Sequence, residues 1–272
     1  MSEAFPARDV ARPYWGLPVF FLIAFGLPWA GWIILRQTIT LDHMFDSFGY
    51  YWFTAGPSIA GFLAAYAEDG LRGLRRFCRR VFNLRFAFWV WLAALLLPLL
   101  AALLTFAPHA ADLLKGGTPK WASLLGTISL MNFFTGPIAE EFGWRGYLLD
   151  RLARHMRPVL AGLLIGPIWI AWHIPLFYDS VFAHVSSALG YSGWVIAWSV
   201  VLALIVAKAR GSVLPSVLGH WAANAAPGVF FALLPALPGE DQPGGLAFTL
   251  ASLVVALVAA ILWGGARWEP RE

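Results

Sequence analysis

Charge is what this sequence has least of. Only 12% of its 272 residues are Asp, Glu, Lys or Arg, against about 25% in an ordinary soluble domain. With 60% hydrophobic residues beside that deficit, a soluble globular protein is excluded and a polytopic membrane protein is implied. Cysteine is nearly absent too. Cys78 stands alone, so no internal disulfide can staple the chain. There is no HExxH stretch and no other compact zinc spacing. Repeats, low-complexity tracts and long linkers are missing, so 1–272 reads as one integral membrane domain. No small-residue cleavage site follows the first apolar run, so Arg8 and Arg12 introduce a retained helix rather than a signal peptide.

What is present is a series of apolar runs. A helix needs roughly 20 apolar residues to cross a bilayer. Eight candidates occur, at about 14–35, 50–67, 86–107, 121–139, 158–178, 193–207, 212–235 and 246–265. The expected fold is therefore an all-α bundle of about eight transmembrane helices. Lys and Arg collect on the cytoplasmic side of membrane proteins. With both termini inside, only Arg36, Lys115 and Lys120 of the 19 basic residues fall outside. That sorting accounts for the net charge of +4 and the pI near 9.5 without a nucleic-acid partner, and it suits a bacterial cytoplasmic membrane. The stretch "LRGLRRFCRRVFNLR", 71–85, repeats Leu71, Leu74, Phe77, Cys78 and Val81 at three- and four-residue steps with Arg between. It reads as an amphipathic basic cytoplasmic segment lying on anionic membrane lipids.

Ionisable groups enter the apolar stretches at three places: Glu140, Glu141 and Arg145; His173; and His220. Each costs on the order of 3 kcal/mol at mid-bilayer, so such groups face a cavity and mark function. Glu141 and Arg145 stand at i and i+4 with the acid first, the better order for an ion pair. Glu140 points about 100° away around the helix and has no local partner, which leaves it free for general-base work. His220 and Asn224 share a helical face and can present two donors to one point, as an oxyanion hole requires. His173 can orient a water beside Glu140. Base, water positioner and oxyanion donors together form a set for water attack on an amide. The bland readings are an interfacial ion cluster for the first group, a hydrogen-bonded helix histidine for His173, and helix–helix glue for His220 with Asn224.

The same residues resemble a known family. "EEFGWRGYLLDRL" matches the EExxxR motif of the type II CAAX prenyl endopeptidases, the CPBP or Abi intramembrane proteases. "WIAWHIPLF" is similar to their FxxxH motif and "GHWAAN" to HxxxN/D, in the same order, over about 120–230. The resemblance implies an eight-helix membrane endopeptidase acting near a membrane-embedded or prenylated CAAX-type C-terminus. Its substrate would be a peptide or prenylated protein. Glu140 would activate water with help from His173, His220 and Asn224 would stabilise the oxyanion, and Glu141 and Arg145 would hold the first motif. Trp169 stands where the motif has Phe, a departure expected to touch subsite shape more than chemistry. Members of this family have been labelled metalloproteases, and Glu140, His173 and His220 would be the zinc ligands in that case. A metal-free mechanism is favoured, because Asn224 makes better sense as a donor than as a ligand. A transporter or scaffold with a polar cavity is the alternative of another class.

Overall fold

The computed structural model describes residues 15–38, 48–109, 121–233 and 245–271. Arg8, Arg12, Lys115 and Lys120 of the charge pattern lie outside these residues, as do residue 14 of the first expected span and 234–235 of the seventh. Every regular element among the described residues is a helix. Besides a short 3-10 turn at Ala107–His109, they are α1 (Gly16–Thr38), α2 (Phe48–Thr54), α3 (Gly56–Val81), α4 (Trp89–Phe106), α5 (Trp121–Thr127), α6 (130–153), α7 (Pro158–Phe177), α8 (Val185–Lys208), α9 (Leu214–Leu233) and α10 (Gly245–Trp263). By length and composition, α1, α4, α7, α8 and α10 can each cross a membrane. The chain is an integral membrane protein.

The packing is what lipid rather than water selects. Leu96, Leu103, Leu257 and Ile261 point outward, where they meet hydrocarbon at no cost. Small residues fill the inside: Ala60, Ala64, Ala94, Ala161 and Ala203 are fully buried. Membrane helices associate through such close contacts and through hydrogen bonds between helices. At the contact of α7 with α8, Ser199 Oγ donates to Gly162 O at 2.8 Å. A methyl on Gly162 would lie 2.9 Å from Ser199 O, so only glycine admits this approach. The other main pairings are α1 with α3, α8 with α10, α4 with α9, and α3 with α6.

Four arginine-bearing segments meet at one end. Arg80, buried at the end of α3, donates to Gly146 O at 2.7 Å. Val213 N donates to Val81 O at 3.0 Å. The tail after α10 returns to the same end, where Arg271 N donates to Arg210 O at 3.0 Å and Trp268 Nε1 to Asp150 at 3.1 Å. The described arginine-bearing segments at 80–85, 145–157, 208–213 and 267–271 thus share one end of the molecule.

The amphipathic segment is helical and forms the second part of α3. It continues α3 through a break at Asp69 and Gly70, where Gly70 takes φ 56°, and Arg76 pairs with Asp69 across the bend at 2.7 Å. Phe77 and Val81 turn their apolar face into the bundle, onto Gly146, while Arg72, Arg75, Arg76 and Arg79 remain exposed.

Helix edges differ from those expected at three spans. The 50–67 stretch is split between α2 and α3. The helix expected from 193 begins at Val185. The 121–139 run breaks at 128–129, and its second part continues to Ala153 as α6. The charges at 140–145 do not end that helix, because they are partnered inside the protein.

Candidate functional site

α6 carries the acidic pair on an irregular backbone. Two wide π turns, Phe134–Ile138 and Phe142–Leu148, flank the single α turn Ala139–Glu141. Such widened turns occur often at functional sites. Pro137, in the first, has no N–H for a regular helical bond. Gly143, in the second, lies so close to the Pro57 carbonyl of α3 that a methyl there would overlap it. Backbone packed on backbone fixes α6 where the acids sit.

Depth along the helices agrees. Glu140 lies thirteen residues before Ala153 on α6, and Trp169 eleven residues after Pro158 on α7. At 1.5 Å per residue, both are about 17–20 Å from the arginine-rich end. His173 stands one turn further along α7. Had α6 stopped at 139, these groups would not have met.

The side chains meet as follows. Arg145 Nη1 donates to Glu141 Oε1 at 2.8 Å, both side chains fully buried, so the pair forms as its i,i+4 spacing demands. His220 Nδ1, from α9, also contacts Glu141 Oε1, at 2.9 Å. A carboxylate only accepts, so Nδ1 carries the proton and Nε2 faces away from Glu141. His173 Nδ1 lies 2.9 Å from the Trp169 carbonyl, which again only accepts. In the neutral His173 ring, Nε2 therefore carries the free lone pair. Glu140 is held differently: the Trp169 indole N–H donates to its Oε2 at 2.5 Å.

Three polar atoms converge beside Gly136, one turn before Glu140. A methyl built on Gly136 would lie 3.2 Å from Asn224 Nδ2, 3.5 Å from His220 Nε2 and 3.6 Å from Glu140 Oε1. The space belongs to a cavity of about 450 Å³ that Glu140, Trp169, His173, His220 and Asn224 line together. Tyr50, Phe177, Tyr191, Trp194 and Phe248 give the remainder an aromatic wall. The six residues singled out in the sequence thus form one constellation: Glu140, His173, His220 and Asn224 on the cavity, Glu141 and Arg145 behind it.

Among the described residues no three His, Cys, Asp or Glu side chains are grouped as metal ligands. Glu140, His173 and His220 share a cavity but do not form such a cluster.

Trp169 lies against Glu140 itself, its indole N–H bonded to the carboxylate. The Arg145 guanidinium stacks over its ring at 4.2 Å. The sequence also gave no sign that Glu141 would bond His220, 79 positions away. Nor did it mark Gly136. Position in the motif was the one available signal for Trp169, where an indole replaces a ring without a donor.

Together these features define a multi-helix membrane protein with a buried glutamate–histidine–asparagine site. Residues 122–226 match the family described as type II CAAX prenyl endopeptidase Rce1-like. A CAAX prenyl protease 2 of Methanococcus maripaludis is 26% identical over 92 residues, which cover 31% of this chain and 34% of that protein. The match thus spans about a third of that relative's length. The matched residues 122–226 hold most of α5, all of α6, α7 and α8, and the first part of α9.

Proposed function

We propose that this chain is an intramembrane endopeptidase that uses Glu140 to activate water. The observation that carries the reading is the convergence of Glu140 Oε1, His220 Nε2 and Asn224 Nδ2 beside Gly136. A water bound there lies against the base, and a substrate carbonyl oxygen lies against two nitrogens. Glu140 takes a proton from the water as its oxygen attacks the carbonyl carbon. Asn224 donates its amide N–H to the oxyanion. His220 donates from Nε2 as an imidazolium, whose Nδ1–H is held by Glu141. When the tetrahedral intermediate collapses, the C–N bond breaks and Glu140 returns the proton to the leaving amine. The products are a carboxylic acid and an amine, and Glu140 ends as it began. His173 turns Nε2 toward the cavity and positions the attacking water.

The substrate is a peptide segment near a membrane-embedded or prenylated CAAX-type C-terminus, in keeping with the family matched at 122–226. The membrane is a bacterial cytoplasmic membrane, with the arginine-rich end inside. The mechanism needs no metal: Asn224 serves as donor, and the His and Glu groups are not clustered as ligands.

Cleavage of a farnesylated CAAX reporter peptide by purified protein tests this, with wild type and Glu140→Gln run side by side, each with and without chelator. Wild-type cleavage that survives chelation and is lost in Glu140→Gln is expected. Loss on chelation would move zinc to the centre. Ion-dependent binding without cleavage, or full function in the double variant Glu140→Gln/His173→Ala, would make the protein a transporter or a scaffold instead.

A further inference from the structure

We infer that Trp169 is the positioning residue for the base: its indole N–H occupies one oxygen of Glu140 and leaves the other aimed at the cavity. The inference rests on the proteolytic reading above and adds a part to it. An indole has one donor and no acceptor. The bond at 2.5 Å from Trp169 Nε1 to Glu140 Oε2 therefore assigns the two carboxylate oxygens different tasks. Oε2 is taken, and Oε1 is the atom beside Gly136, near His220 Nε2 and Asn224 Nδ2. A carboxylate free to rotate would spend much of its time with neither oxygen in line. Base catalysis depends on that line within tenths of an ångström, and a 1 Å displacement can cost about a hundredfold.

The indole is itself immobilised. Arg145 Cζ lies 4.2 Å from the ring centroid, and cation–π contacts of this kind strengthen where water is excluded. The His220 ring meets it edge-on, with centroids 5.2 Å apart and planes at 81°. Trp169 is 1% exposed, and its carbonyl accepts from His173 Nδ1. One residue thus contacts the base, the water positioner, one oxyanion donor and the arginine of the first motif. This gives Arg145 a second task besides neutralising Glu141, since it also supports the ring that holds Glu140. A Phe at this position keeps the ring contacts but has no N–H. The restraint on Glu140 is thus a feature of this chain's indole, beyond the FxxxH pattern.

Two substitutions and two readouts test it. Trp169→Phe removes the donor and some volume. A 3-benzothienylalanine introduced at position 169 removes only the N–H and keeps the shape, which guards against a misfolded Phe variant. With the farnesylated reporter, both should lower kcat ten- to hundredfold with KM within about twofold of wild type, the pattern of a lost transition-state arrangement. The second readout needs no turnover. In ¹⁵N-indole-labelled protein, the Trp169 N–H proton, assigned by its loss in Trp169→Phe, should resonate at low field and move upfield in Glu140→Ala. Wild-type kcat in the benzothienyl variant, an equal rise in KM and fall in kcat, or an indole resonance indifferent to Glu140→Ala would each overturn the inference. If wild type leaves the reporter uncut, the proteolytic reading falls separately, and the resonance alone decides whether Trp169 holds Glu140.

Discussion

Gly136→Ala should abolish the proposed cleavage without unfolding the protein. The added methyl would stand 3.2 Å from Asn224 Nδ2, 3.5 Å from His220 Nε2 and 3.6 Å from Glu140 Oε1. An oxygen hydrogen-bonded to those atoms needs to lie about 2.7–3.2 Å from each, so methyl and reacting oxygen compete for one space. Removing a single oxyanion donor typically costs about 10²–10³ in kcat. The methyl interferes with two donors and the base, so a loss of at least about a hundredfold is expected, equivalent to about 3 kcal/mol of transition-state stabilisation. Stability should move the other way. Alanine is favoured over glycine within a helix by roughly 0.5–1 kcal/mol. The tightest of the three contacts, at 3.2 Å to the Asn224 amide, asks a shift of a few tenths of an ångström from a side-chain end and offsets only part of that gain. Gly126→Ala is the matched control, because a methyl there meets nothing within 4 Å. The assay is reporter cleavage in detergent, paired with thermal unfolding of the same samples. Gly136→Ala that melts like wild type and cleaves within about threefold of it would refute the placing of the reaction beside Gly136.

Much of the site was legible because its parts are local. Glu141 and Arg145 declare their pairing by spacing, and the three motifs place their residues on α6, α7 and α9 without tertiary information. What hydropathy could not show is where a helix carries charge and continues. A window average treats Glu140, Glu141 and Arg145 as groups that belong in water, so the expected span stops at 139. In the fold, Arg145 and His220 both meet Glu141 Oε1 and Trp169 meets Glu140 Oε2, and α6 runs on to Ala153. The depth of the site depends on that continuation. The break at 128–129 was equally hidden, since the stretch around it is uncharged and largely apolar. Gly136 and Trp169 belong to a further class. Their importance comes from atoms of other helices brought to within a few ångströms, and a single sequence says nothing of which face of α6 meets α7 and α9.

Two further predictions concern stability. Arg145→Ala should destabilise the protein by about 3–5 kcal/mol, because it strands the fully buried Glu141 with only His220 as partner. Thermal unfolding in detergent should show a large drop, and a melting point equal to wild type would deny the pair its structural part. Asp150 offers a pH test at the arginine-rich end, in the last turn of α6. Burial pushes its carboxyl up, but Arg80, Arg154 and Arg151 outweigh burial and hold it below the ordinary carboxylate value. A group depressed in the folded state stabilises the fold at every pH above its unfolded value, and that contribution disappears as pH falls through the folded one. The melting point should therefore hold level down to the ordinary carboxylate range and drop only below it, as Asp150 takes up a proton and releases its arginines. Asp150→Asn should lower stability at neutral pH and flatten the acid limb. An acid limb of unchanged depth in Asp150→Asn would show that another group binds the proton, and that the salt-bridge cluster at this end of α6 contributes nothing to acid stability.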